Sequence, residues 1–126
     1  MSKRKVFVTE PSLPPLEEFQ SLLSTIWDTR NLTNSGPFSK KLERELTTYL
    51  DVPNISLLSS GSAALFCAIK SLGIKGEVVT TPFTFPATTQ QINLAGLKPV
   101  FVDIDRNNFN IDPSKIEAAI TENTSA

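Results

Sequence analysis

The chain has 126 residues, of which 40% are hydrophobic and 20% charged, with a net charge of −1; this is an ordinary globular composition of about one domain's length. No basic excess is available to draw nucleic acid or an anionic membrane. One cysteine and no histidine exclude an internal disulfide, a Ser-His-Asp triad and a histidine-rich zinc centre, and no metal site is expected.

No run approaches about 18 apolar residues, so no membrane span is expected. The N-terminal MSKRKVFVTEPSLPP is basic but lacks the apolar core of a signal peptide. Residues 1–13 read as extended and irregular. From Pro15 to Trp27, the residues Leu16, Phe19, Leu22, Leu23, Ile26 and Trp27 recur at helical spacing and predict one buried face. Residues 28–37, DTRNLTNSGP, form a polar loop closed by Gly36-Pro37. A second amphipathic helix follows, with Phe38, Leu42, Leu46, Tyr49 and Leu50 on one face. Lys40, Lys41, Glu43, Arg44 and Glu45 lie mostly off that face and read as solvated.

The pattern then changes. Ile55-Ser56-Leu57-Leu58 predicts a short strand. Residues 62–72 predict a buried helix, with Gly73 as its C-cap. Cys67 falls inside this apolar run, which fits a reduced, cytoplasmic setting. Glu77-Val78-Val79-Thr80-Thr81 predicts a second strand, and Pro86 opens a helix running to about Ala95 and closed by Gly96. Pro99 to Ile104 predicts a third strand, and Asp112-Pro113 an N-cap and first turn for a last helix through Ile120. Strands alternating with helices imply right-handed crossovers and a parallel α/β sheet. The pattern would next require a strand, so the chain reads as truncated after Ala126.

Ligands of open parallel sheets bind at the carboxyl edge of the strands. The informative residues are therefore Ser59 to Ser62, Thr81 to Phe85, and Asp103 to Asp105. In SSGSAAL, Gly61 would let an anion approach the backbone, and Ser60 and Ser62 would add hydroxyls, a seat for a phosphate at a helix N-terminus. The same serines serve equally as plain N-caps, and this stretch alone favours capping. The spacing matches neither the Walker nor the dinucleotide-binding glycine pattern. In TTPFTFPATT, Phe83 or Phe85 could cover a flat cofactor ring; core packing is the commoner fate of phenylalanine and outweighs that reading on these residues alone. In VDIDRNNFNID, Asp103, Asp105 and Asp112 could act as acids, bases or metal ligands. A turn built by Asp105 and the asparagines, with Asp112 as a helix cap, explains them better, and no chemistry is assigned there.

Three blocks, LTNSGPFSKKLERELTTYLDVPNISLLSSGSAAL, GEVVTTPFTFPATTQQINLAGLKPVFVDID and NIDPSKIEAAIT, resemble in order and spacing the DegT/DnrJ/EryC1/StrS family of pyridoxal-phosphate-dependent nucleotide-sugar aminotransferases. The resemblance runs from about Pro11 to the end. VTEPSLPPLEEF and LTNSGPF are most similar to members of the dTDP-4-amino-4,6-dideoxyglucose type. The resemblance implies the N-terminal part of the large domain of a type I aminotransferase, with parallel strands and crossover helices. Residues 1–54 would be an arm and two amphipathic helices, and residues 55–126 the start of the cofactor-binding domain.

The resemblance also implies site roles. Gly61 by its N–H, Ser62 by its hydroxyl and the adjoining Ser60 would hold the phosphate of pyridoxal 5′-phosphate. Phe85 would stack on the pyridine ring. Thr33 and Asn34, in the loop through Ser35 and Gly36, would lie near the substrate. The lysine that forms the Schiff base and the aspartate facing the pyridine nitrogen would both lie beyond residue 126. None of Lys3, Lys5, Lys40, Lys41, Lys70, Lys75, Lys98 and Lys115 matches the family's lysine, so no catalytic residue is assigned to this chain.

The complete enzyme would be a cytoplasmic homodimer that moves an amino group from glutamate to a nucleotide-linked keto sugar, for surface-polysaccharide synthesis such as lipopolysaccharide O-antigen. Three other readings stay open: a non-catalytic, truncated interaction protein; a small nucleotide-binding α/β domain; and a dehydratase of the same fold that lacks the lysine.

Overall fold

The computed structural model describes residues 6–126. The chain divides into two compact units, one ending at Ile55 and the other spanning Ser56–Ala126. Expectations for residues 1–5, including Lys3 and Lys5, lie outside the described residues.

The first unit contains α1 (Leu16–Thr29) and α2 (Pro37–Leu50). Helix α1 begins after Pro15, whose φ of −53° and ψ of 138° are extended, and Glu17 and Glu18 place negative charge in its first turn. It ends at Arg30, which takes the left-handed conformation (φ 51°) and donates its N–H to the Ile26 carbonyl at 2.9 Å. Helix α2 has Gly36 as N-cap and Pro37 in the first turn, where the missing N–H costs nothing. Asp51, also left-handed (φ 51°), ends it. Lys40, Lys41, Arg44 and Glu45 are solvated as expected, whereas Glu43 is half-buried, and Lys41 and Glu45 pair at 3.7 Å one turn apart.

The expected buried face is not found. Neither helix buries a residue, and Phe19, Leu23, Trp27, Leu42 and Leu50 stand exposed. An apolar stripe is buried only where another layer covers it, and two helices alone carry too little apolar surface to close a core.

The second unit orders its elements as α3 (Gly61–Ser71), β1 (Glu77–Thr80), α4 (Ala87–Leu94), β2 (Lys98–Phe101) and α5 (Pro113–Ala119). Strands β1 and β2 are parallel, with Glu77 opposite Lys98 and Thr80 opposite Phe101. Ile92 of α4, Leu97 and Val102 form the core, and α4 packs on α3 and on β2. The third strand is shorter than expected: after Phe101 the chain leaves the ladder, and Ile104 forms an antiparallel bridge with Ile111 instead.

Two further expectations need correction. Residues 55–58 form no strand. A strand exists only through a ladder partner, and residues 55–58 find none; on β1 one edge is taken by β2 and the other by the C-terminal residues. There Thr124 bridges Glu77 in parallel, and Val79 N–H bonds the Ala126 carbonyl at 2.8 Å. Helix α3 forms where expected but buries no residue fully, and Cys67 is exposed. Its apolar composition exceeds the surface that α4 alone can cover.

Candidate functional site

The first turn of α3 is built by Ser60. Its backbone is extended (φ −159°, ψ 158°), its Oγ accepts the Ala63 N–H at 3.2 Å, and its carbonyl accepts the Ala64 N–H at 3.0 Å. Ser60 is thus an N-cap. The N–H groups of Gly61 and Ser62 and the Ser62 hydroxyl have no partner among the described residues. The two N–H groups lie at the open end of the helix, the positive end of its dipole. A Cβ added at Gly61 would meet nothing within 4 Å, and the residue is not left-handed. Nothing inside the chain therefore requires glycine there; a closely approaching group outside it would.

Lys70, in the last turn of α3, reaches the carbonyl of Ala95, the C-cap of α4, at 3.5 Å. The two packed helices therefore run in the same direction, and their N-termini share one end. That end is the carboxyl edge of β1, because residues 81–86 lead from β1 directly into α4. Phe83 N–H bonds Thr81 Oγ1 at 3.2 Å, and the Phe83 ring lies 5.8 Å from that of Phe109, centroid to centroid, tilted by 33°. This pair joins the loops that follow β1 and β2. Phe85 has no aromatic partner among the described residues and is 78% exposed. Neither ring enters the core, contrary to the commoner fate of phenylalanine: α4 begins at Ala87, too soon after the strand for these residues to turn inward. The fold thus brings Ser60, Gly61, Ser62 and Phe85 to one end, with an open helix N-terminus and an uncovered ring.

The family model of the DegT/DnrJ/EryC1/StrS aminotransferases matches residues 16–126. The chain belongs to this family. It is 52% identical over 124 residues to a dTDP-4-amino-4,6-dideoxy-D-glucose transaminase of Shigella dysenteriae, covering 98% of this chain and 34% of that protein. It is 49% identical over 126 residues to the transaminase of the same description from Escherichia coli, covering 100% of this chain and 34% of that one. Among solved structures it is similar to NtdA from Bacillus subtilis with bound cofactor PMP, with a TM-score of 0.84 at 31% identity, over 98% of this chain and 31% of that one. The chain thus spans about a third of the length of these relatives.

Other polar groups of this aminotransferase-family chain are engaged structurally. Asp105 accepts the N–H groups of Asn107 and Asn108 at 2.7 and 3.3 Å, and Asn108 accepts that of Asn110 at 2.8 Å. This is the turn the sequence suggests. Asp112 caps α5, and the Ser114 hydroxyl at 2.6 Å and then its N–H at 3.0 Å hold the carboxyl below the usual range. Asp103 is lowered too, first by the Ile104 N–H and then by Lys115, 3.6 Å away. No group of three or more metal-ligating acidic or cysteine side chains forms among the described residues, and no described helix is long and apolar enough to cross a membrane.

Thr33 and Asn34 lie in the α1–α2 loop of the first unit, where Asn34 and the following Ser35 are both left-handed (φ 56° and 57°). Phe109 was not singled out by its sequence. Its role as the partner of Phe83 depends on the turn at Asp105, and the only local signal is the asparagine-rich run around it.

Proposed function

We propose that this chain is the part of a nucleotide-sugar aminotransferase that seats the phosphate and covers the ring of pyridoxal 5′-phosphate. The observation that carries this reading is the family match over residues 16–126, joined to 52% identity with a dTDP-4-amino-4,6-dideoxy-D-glucose transaminase. The residues fit the group. Gly61 and Ser62 offer two free N–H donors and a hydroxyl to a phosphate at the positive end of α3. The missing side chain at Gly61 lets the anion reach the backbone, and Ser60 holds the turn in shape. Phe85 offers an uncovered ring face to an aromatic system and keeps water from it. When bound, the cofactor supplies the electron sink through which an amino group is exchanged.

In this reading the substrate is a dTDP-linked 4-keto-6-deoxy sugar and the amino donor is glutamate. Thr33 and Asn34 contact the sugar nucleotide. The enzyme is a cytoplasmic homodimer, and its product feeds surface polysaccharide such as O-antigen. The test is an assay of the protein translated from the whole reading frame. Supplied with pyridoxal phosphate, glutamate and dTDP-4-keto-6-deoxyglucose, it should yield the 4-amino sugar nucleotide by mass spectrometry. Failure to aminate any keto-sugar nucleotide would overturn the reading. The variant Gly61→Val should raise the cofactor Kd, whereas Asn34→Ala should raise KM for the sugar nucleotide and leave the cofactor Kd unchanged.

A further inference from the structure

Glu77, the first residue of β1, is the one buried polar or charged side chain among the described residues. Its Oε1 accepts from Lys98 Nζ at 2.8 Å, and its Oε2 from Thr121 Oγ1 at 2.7 Å. Its backbone joins the same segment: Glu77 N–H bonds the Asn123 carbonyl at 2.8 Å, and Ser125 N–H bonds the Glu77 carbonyl at 2.9 Å. The flanking residues continue the seam. Ser125 donates its hydroxyl to the Lys75 carbonyl. Gly76 is left-handed (φ 86°), and a Cβ there would collide with the Asn123 carbonyl. Within the segment, Thr121 Oγ1 accepts the Asn123 N–H at 3.1 Å, and Thr124 Oγ1 accepts the Thr121 N–H at 2.9 Å.

Strand register is normally set by an alternating apolar pattern, because a one-residue slip turns the buried face outward. Residues 121–126, TENTSA, carry no large apolar side chain. Within these six residues burial does not set the register, and polar contacts do. A slip by one residue would take Thr121 from the carboxylate and Asn123 from the gap at Gly76. We infer that the Glu77 carboxylate is a charge-dependent latch that sets the register of a third parallel strand on β1, with Gly76 as the notch that admits it. The segment runs parallel to β1, toward the edge that carries Phe85. Lys98 on β2 is the charged group facing Glu77, and Thr121 faces it from the segment. Losing the charge releases Thr121, whereas the largely exposed Lys98 relaxes into water. Pairing of β1 with β2 rests on backbone bonds of its own, from Lys98 N–H to Gly76 at 2.9 Å and from Val102 N–H to Thr80 at 2.8 Å.

The test is amide hydrogen exchange, followed by NMR, on the 126-residue chain. In Glu77→Gln the amides of residue 77, Val79 and Ser125 should exchange about tenfold faster or more, as for loss of a hydrogen bond to a charged group, while Lys98 and Val102 keep their protection. Thr121→Val, which leaves the charge in place, should move the same three amides by less, and it decides alone if Glu77→Gln does not fold. In the unaltered chain, after correction for intrinsic rates, Ser125 should lose protection relative to Val102 as the pH falls below the glutamate range. All five amides accelerating together, no amide accelerating, or a Ser125-to-Val102 ratio that ignores pH would each overturn the latch.

Discussion

The two units use equally regular secondary structure to very different effect. Helices α1 and α2 have left-handed C-terminal residues and apolar stripes, yet bury no side chain. The unit from Ser56 has shorter helices and four-residue strands, yet buries Ile92, Leu97, Val102 and Glu77. The difference lies in layering. A two-stranded ladder with α4 packed on it closes a small core, whereas a pair of amphipathic helices supplies stripes without a layer to receive them. Helical periodicity therefore determines that a face exists, and the presence of a second layer determines whether it is buried.

The contrast can be broken by mutation. The largest effect belongs to Ile92, 2% exposed: Ile92→Ala should cost the second unit about 2–5 kcal/mol, read as a lower urea midpoint of the β1 and β2 amide signals. Loss of the cap in Ser60→Ala should cost about 1 kcal/mol, and Ser60→Gly only a few tenths, measured in the same titration. Phe83→Ala removes the pair with Phe109 and should cost about 0.5–1.5 kcal/mol, while Phe85→Ala should leave the midpoint unmoved and weaken binding of pyridoxal phosphate. In the first unit, Trp27→Ala should change the stability of this chain by no more than about 0.5 kcal/mol, despite the size of the side chain; a larger loss would mean that the stripe is covered.

Acid sharpens the same comparison. Glu77, Asp103 and Asp112 are all held below their ordinary pKa, Glu77 chiefly by Lys98 and then Thr121. A depressed carboxyl adds stability that is complete above its unfolded pKa and is lost as pH falls through the folded one. All three lie in the second unit. Lowering the pH from about 5 should therefore weaken the second unit progressively, with the urea midpoint falling as the carboxyls protonate.

Much of the local structure was legible before the fold. Proline and glycine punctuation placed α2 and α4, Asp112-Pro113 placed α5, and the asparagines beside Asp105 announced their turn. The serine at position 60 was readable as a cap, and its neighbours as free donors. The strand expected at Ile55–Leu58 was not readable in the same way, because an apolar run says nothing about whether a ladder partner exists. The residues alone did not tell the free Phe85 from the paired Phe83, and only the family resemblance singled out Phe85, since the partner Phe109 lies in a loop whose course depends on hydrogen bonds between asparagine side chains and the backbone.

By itself, then, the sequence determined where helices start and stop, that the second half alternates strand with helix, and that its three blocks resemble the family to which the chain belongs. Those properties are written in short-range rules of capping, φ preference and periodicity. The parallel pattern already placed Ser60, Gly61, Ser62 and Phe85 at one edge; only the tertiary structure decided that α3 and α4 run side by side and bring them there although no strand precedes α3. It alone decided that residues 123–126, rather than 55–58, take the free edge of β1. Both outcomes rest on pairing between segments distant in the chain, and such pairing depends on which surfaces and hydrogen-bonding groups remain free once the nearer contacts have formed.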